Sequence, residues 1–248
     1  MKYSFLKFSA VAMMASVALV SCTKDKSTST ASSADVAFAL TADNAASTLA
    51  TTSTSGLQTN GLQNDAFVAA NASIKWTSAI ANISRFKLEA KKDNTEIEIT
   101  TKNIINLDLL AIDPATVSAK IDTGKYKEIE IKIILVKSAG ADIPLTVKGT
   151  FTTLGGAAVP IEFDYNDNAI LKAEVENVTV DATTNVTAKL SFHLNKLLTA
   201  IPSSQINEAT RTNGAIIISS TSNTIIYNRV IANVLLAFEA RGFEHHKK

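Results

Sequence analysis

Residues with chemical potential are few in this chain. Asp164-Tyr165-Asn166-Asp167-Asn168 is its densest group of oxygen ligands. Calcium takes roughly six to eight oxygens from carboxylates, amides and carbonyls, and Asp164, Asn166, Asp167 and Asn168 could supply several of them from one loop. The EF-hand pattern is missing: Ala169 stands where its glycine would be and Val175 where its last glutamate would be. Asx residues are also the ordinary currency of β-turns. A plain turn is therefore the preferred reading, calcium the alternative, and no other cofactor is expected. His193 is the only histidine outside the last four residues. A nucleophile–histidine–carboxylate triad needs a positioned serine, and the chain has no Gly-x-Ser-x-Gly elbow. Alternation with Phe192 and Leu194 puts His193 toward solvent or a sheet rim. His245-His246-Lys247-Lys248 reads as a solvated tail. No catalytic residue is assigned, and no enzyme is expected.

Cys22 is the single cysteine, which excludes intrachain disulfides and cysteine-based zinc sites. Its context gives it another use. Lys2 and Lys7 precede the uncharged stretch 8–20, which is too short to span a bilayer but suits the apolar region of an export signal. Leu19-Val20-Ser21-Cys22 then resembles a bacterial lipobox, with Cys22 as the lipidated residue. Residues 1–21 are read as the signal peptide, and the membrane is the first expected partner, through several acyl chains at Cys22. With 24 basic and 23 acidic side chains there is no basic excess of the kind that nucleic-acid binding needs.

The elements that would carry any site begin after a tether. In residues 22–73, Ser, Thr, Ala, Asn and Gly fill 35 of the 51 positions that follow Cys22. Such a segment buries too little to offset its ordering entropy. Residues 36–40 are an apolar island within it, a possible strand. From Ile74 the period becomes two. Residues 85–90 and 96–100 form a predicted hairpin around Asp93-Asn94. Tyr126 to Lys137 alternates Ile129, Ile131, Ile133 and Leu135 with Glu128, Glu130 and Lys132. Further alternating runs cover 159–165, 171–180 and 186–194, with a bulge expected near Glu176-Asn177. Trp76 follows Ile74 on one face and reads as core. Leu194 to Ile201 is a candidate short helix stopped by Pro202, and 215–218 a buried strand. A longer helix is predicted from Ser222 or Asn223 to about Ala240, with Ile226, Val230, Val234 and Phe238 on its apolar face and Gly242 as its stop. Residues 74–248 are thus predicted as a mainly β domain, an antiparallel sandwich with a C-terminal strand and α-helix.

Three segments carry a likeness. Val36-Ala37-Phe38-Ala39-Leu40-Thr41-Ala42-Asp43-Asn44-Ala45, Asn106-Leu107-Asp108-Leu109-Leu110 and Asp122-Thr123-Gly124-Lys125-Tyr126-Lys127-Glu128-Ile129 resemble motifs of the Bacteroidota lipoproteins related to domain of unknown function 4382. The likeness covers about residues 36–195. It departs from that family in lacking a Pro after the Asp-Ala turn and an Arg after the Tyr-x-x-Ile. It implies an Ig-like or prealbumin-like β-sandwich and an outer-membrane location, periplasmic or surface-facing, and it carries over no catalytic residue.

The function expected from these readings is a membrane-anchored envelope lipoprotein that binds or adheres without catalysis, its partner a glycan or a protein. The alternative is a fimbria-like structural subunit assembled by strand addition. An accessory role beside carbohydrate-active enzymes is the weaker third.

Overall fold

A computed structural model describes residues 32–43, 45–49, 72–93, 95–112 and 116–247. The signal segment, Cys22 and residues 50–71 lie outside the described residues. One folded unit runs from Ser32 to Lys248. Its strands are β1 (Ser33–Asp43), β2 (Ala46–Thr48), β3 (Ser73–Ile83), β4 (Arg85–Lys92), β5 (Thr95–Thr100), β6 (Ile104–Asp108), β7 (Thr116–Asp122), β8 (Gly124–Leu135), β9 (Leu145–Thr152), β10 (Ala158–Tyr165), β11 (Ala169–Val180), β12 (Thr184–His193), β13 (Arg211–Thr212), β14 (Ala215–Ile218) and β15 (Phe238–Lys247). Two α-helices join them, α1 (Ser203–Asn207) and α2 (Thr224–Ala237), with a 3₁₀ turn at Leu194–Lys196.

The strands form three sheets. Sheet A has the order β15-β12-β1-β7, sheet B the order β13-β14-β10-β9-β3-β2 with β6 also on β3, and sheet C the order β11-β8-β4-β5. Sheet C is antiparallel throughout, but β1 runs parallel to β12 and β10 parallel to β14. The purely antiparallel expectation is therefore corrected to a mixed architecture. Period-two patterning says which face of a strand is buried and nothing about the direction of its neighbour. The apolar island at 36–40 is the centre of β1, which is paired on both sides.

Sheets A and C face each other. Phe38 of β1 stacks on Phe86 of β4 at 6.0 Å. Ile129, Ile131, Ile133 and Leu135 of β8 are buried in the one contiguous core, together with Trp76. Sheets B and C are joined by three chain connections. β3 passes into β4 at Ser84, β8 into β9 through 136–144, and β10 into β11 through 166–168. The order β10-β9-β3 in one sheet thus matches β11-β8-β4 in the other.

The bulge expected near Glu176-Asn177 does not form; the buried face changes there without an inserted residue. Glu176 lies opposite Glu128 and Val178 opposite Tyr126, equal steps on both strands. Asn177 takes a left-handed φ of 56°, and burial passes from Ala173 to Val178 on β11 and from Ile129 to Tyr126 on β8.

The C-terminal helix is shorter than its sequence pattern. It ends at Ala237, and Phe238 turns extended (φ −83°, ψ 133°) to begin β15. Phe238 stacks on Phe192 of β12 at 4.4 Å, so its ring is better placed in the sheet than on a further helical turn. His245 and His246 pair with Val186 and Asn185 in β15, which replaces the expected tail with a strand. Leu235, next to the buried Val234, is 54% exposed.

Candidate functional site

The line along which the chain crosses between sheets B and C is a crease, held by asparagine side chains. Asn82, near the end of β3, donates from Nδ2 to the Ile143 carbonyl at 2.6 Å and accepts the Asn106 amide at 2.8 Å. Asn166 accepts the Ser138 amide at 2.8 Å and donates to the Ser138 carbonyl at 2.9 Å. Asn168 accepts the Lys137 amide at 2.8 Å. Strands that leave one sheet for another lose ladder partners, and these amide side chains, each with donors and an acceptor, replace them.

Two of the four residues of the predicted oxygen cluster thus face the 137–138 segment. Asp167 accepts the amide of its neighbour Asn168 at 2.8 Å. Asp164 stands apart on β10, where it accepts a hydrogen bond from the Thr146 hydroxyl at 3.3 Å. Burial, with the nearby Glu162 charge, pushes its carboxyl above the usual range. Among the described residues no group of three or more His, Cys, Asp or Glu side chains converges as a metal site would.

The outside of the crease is aliphatic. A hollow of about 300 Å³ lies between Ile105 and Val136, with Asn103 and Asp142 at its rim. It adjoins one of about 340 Å³ lined by Ile134, Val136 and Ile170. A third, of about 230 Å³, continues from Ile170 to Leu235, Phe238 and Glu239. Ile105, Val136, Ile170 and Leu235 are each about half exposed, at 55%, 46%, 56% and 54%. Among the described residues the large exposed apolar side chains are all aliphatic. Sequence reading did not single out this row. One signal was present: Ile134 and Ile170 share the face of Lys132 and Lys172, a face that is otherwise charged.

A larger hollow, about 370 Å³, lies at the start of α2 between Gln205, Thr210 and Ile225. There Asn223, at φ 50°, ties helix to loop by donating to the carbonyls of Thr210 and Ile217.

His193 departs most from expectation. It is 4% exposed rather than solvent-facing. Its Nδ1 lies 2.5 Å from Asp43 Oδ1 and its Nε2 2.6 Å from Glu239 Oε2. Ser191, Phe192, His193 and Leu194 are all buried, so alternate exposure ends before the strand does. The three residues come from β1, β12 and β15, and their meeting rests on pairings across 150 and 46 positions of sequence. Asp108 accepts the Leu110 amide at 2.9 Å.

These features define a mixed β protein of three sheets sharing one core, with an aliphatic crease. Against known families, curated proteins and solved structures the chain finds no match.

Proposed function

We propose that this protein is a lipid-anchored, outer-membrane envelope protein that binds a protein partner along the crease, without catalysis. The anchor reading rests on Cys22 in its lipobox-like context, and the facing sheets A and C are the part we read as Ig-like or prealbumin-like. The observation that carries the binding reading is the row Ile105, Val136, Ile170 and Leu235, half exposed along three adjoining hollows. Contiguous exposed apolar surface marks interaction sites, and side chains of this kind complement aliphatic protein segments. Sugar rings, by contrast, stack on aromatic faces, so a protein is the preferred partner over a glycan.

The second reading is a subunit assembled by strand addition. It is favoured by β7 and β5, which pair on one side only among the described strands and so present edges of sheets A and C.

Two measurements test the preferred reading. Metabolic labelling with fatty acid should mark the wild-type chain and not Cys22→Ala, which should leave the membrane fraction. The mature chain on an array of matrix proteins and glycans should bind a protein, and Val136→Asp/Ile170→Asp should lose that signal with an unchanged melting temperature. Binding only to glycans, untouched by the double variant, would sink the crease reading.

A further inference from the structure

We propose that two copies of this chain join as a closed two-fold dimer, β5 of each copy pairing antiparallel with β7 of the other. The dimer uses the two edges on which the second reading above rests, and closes them where that reading leaves an open fibre. The crease takes no part in it.

Both edges lie on one side of the facing pair of sheets. Sheet A runs β15-β12-β1-β7 and sheet C runs β11-β8-β4-β5. The Phe38–Phe86 stack sets β1 over β4, and β15 meets β11 at the hollow bordered by Lys172 and Glu239. β7 and β5 are therefore the edges of the other side, each with one ladder partner among the described strands. Their inward side chains Ile97, Ile99 and Val117 are only partly buried, whereas Ile129, Ile131 and Ile133 of β8 are fully buried.

The two edge strands run in opposite directions. β7 ends at Asp122, opposite Ser33 at the start of β1. At that same end Lys92 Nζ, from the last residue of β4, donates to the Thr123 carbonyl at 2.8 Å, and Thr95 pairs with Lys92 to begin β5. Half a turn about an axis parallel to the strands keeps both directions. It sets β5 of each copy beside β7 of the other, antiparallel, in both layers at once. Each sheet C then continues into the other copy's sheet A with the inner faces on one side, and both edges are paired. The start of β1 points the same way in both copies, as the anchor proposed above requires of two chains in one membrane.

Level and charge select the register. Val117 pairs with Phe38, Phe38 stacks on Phe86, and the Phe86 carbonyl accepts the Thr101 amide at 2.9 Å, so Val117 lies near the level where β5 ends. One register near that level sets no two carboxylates opposite each other. On the outside, Glu96 faces Lys120 and Glu98 faces Ser118; inside, Ile99 meets Val117 and Ile97 meets Ala119. Two residues away, Glu96 would face Asp122. Lys120 Nζ lies 3.5 Å from Asp35 with its side chain 74% exposed, and an ammonium has donors for a second carboxylate. Charge also bars β5 from itself, since antiparallel pairing of two β5 strands about Glu96, Ile97 or Glu98 sets carboxylates face to face.

Sedimentation equilibrium of the mature chain in density-matched detergent tests this, and twice the chain mass is expected at micromolar concentration. Glu96→Lys and Lys120→Glu should each weaken the dimer about tenfold or more, and the two together should restore it. Oxidising Glu98→Cys/Ser118→Cys in membranes should give a bridged dimer, because in one copy these positions lie on opposite outer faces and cannot meet. A single chain mass overturns the dimer, whether the edges are bare or covered by another segment of this chain. Failure of the double charge variant to restore association overturns the register. A ladder of bridged species overturns the closure and leaves the second reading standing. Val136→Asp/Ile170→Asp should leave the dimer intact, so partner binding along the crease fails or stands by itself; a dimer lost in that variant overturns the β5–β7 junction.

Discussion

The Asn166 side chain holds both backbone groups of Ser138, accepting its amide at 2.8 Å and donating to its carbonyl at 2.9 Å. The β10–β11 connection is thereby fastened to the β8–β9 connection at the crease, 28 residues away in sequence.

Removing that clasp should be felt locally. Asn166→Ala leaves two backbone groups unpaired and should cost about 1–3 kcal/mol. Amide exchange in 137–142 should speed up well before the core is affected. Calcium added to the wild type is expected to produce no heat and no melting shift; either signal would restore the metal reading of Asp164, Asn166, Asp167 and Asn168.

Acid should weaken sheet C. The Glu89 carboxylate accepts hydrogen bonds from Lys132 and Lys87, each at 2.7 Å, and these hold its pKa down at about 2 from an ordinary 4.5. A depressed carboxyl stabilises the fold above its unfolded pKa and loses that contribution as pH falls through the folded one. Stability on the order of 1–3 kcal/mol should therefore disappear between about pH 4.5 and pH 2. Denaturant titrations across that range should show the loss, and Lys132→Met should flatten it.

Gly149 of β9 lies against the backbone of β3. A Cβ there would meet the Lys75 carbonyl oxygen and come within 2.8 Å of Trp76 Cα, main-chain atoms that cannot rotate away. Gly149→Ala should cost about 1–3 kcal/mol, read as a lower denaturation midpoint.

Phe38 tests whether the first strand is part of the core. It is 2% exposed and stacks on Phe86. Phe38→Ala should cost about 3–5 kcal/mol, a loss a dispensable tether strand would not show. The unfolding midpoint measures it directly.

Local pattern carried much of this molecule. The alternation of Ile129, Ile131 and Ile133 with Glu128, Glu130 and Lys132 placed β8 and its buried face, and the 85–100 hairpin was readable from its turn. Asn177 could be read as the point where the face changes, because the apolar parity shifts there in sequence. Trp76 was readable as core from Ile74 beside it. Such features depend on residues two to four apart, which the backbone geometry alone brings to one side.

What lies between strands was not readable. That β1 inserts between β7 and β12, and runs parallel to β12, follows from pairings 77 to 89 residues apart on one side and 150 on the other, to which period two is blind. The early end of α2 followed from Phe192, a partner that Phe238 meets only in the fold. His193 looked like a rim residue because its neighbours in sequence are apolar; its neighbours in space are Asp43 and Glu239. The crease was hidden for the same reason, since Ile105, Val136, Ile170 and Leu235 come from four separate segments. By itself the sequence determined the hairpin at 85–100, the strands at 126–137, 159–165, 171–180, 186–194 and 215–218, and the lipobox-like context of Cys22. Only the tertiary structure decided which strands meet, and so where a buried histidine between two carboxyl groups and an exposed aliphatic row arise, because both are made by residues that share no local pattern.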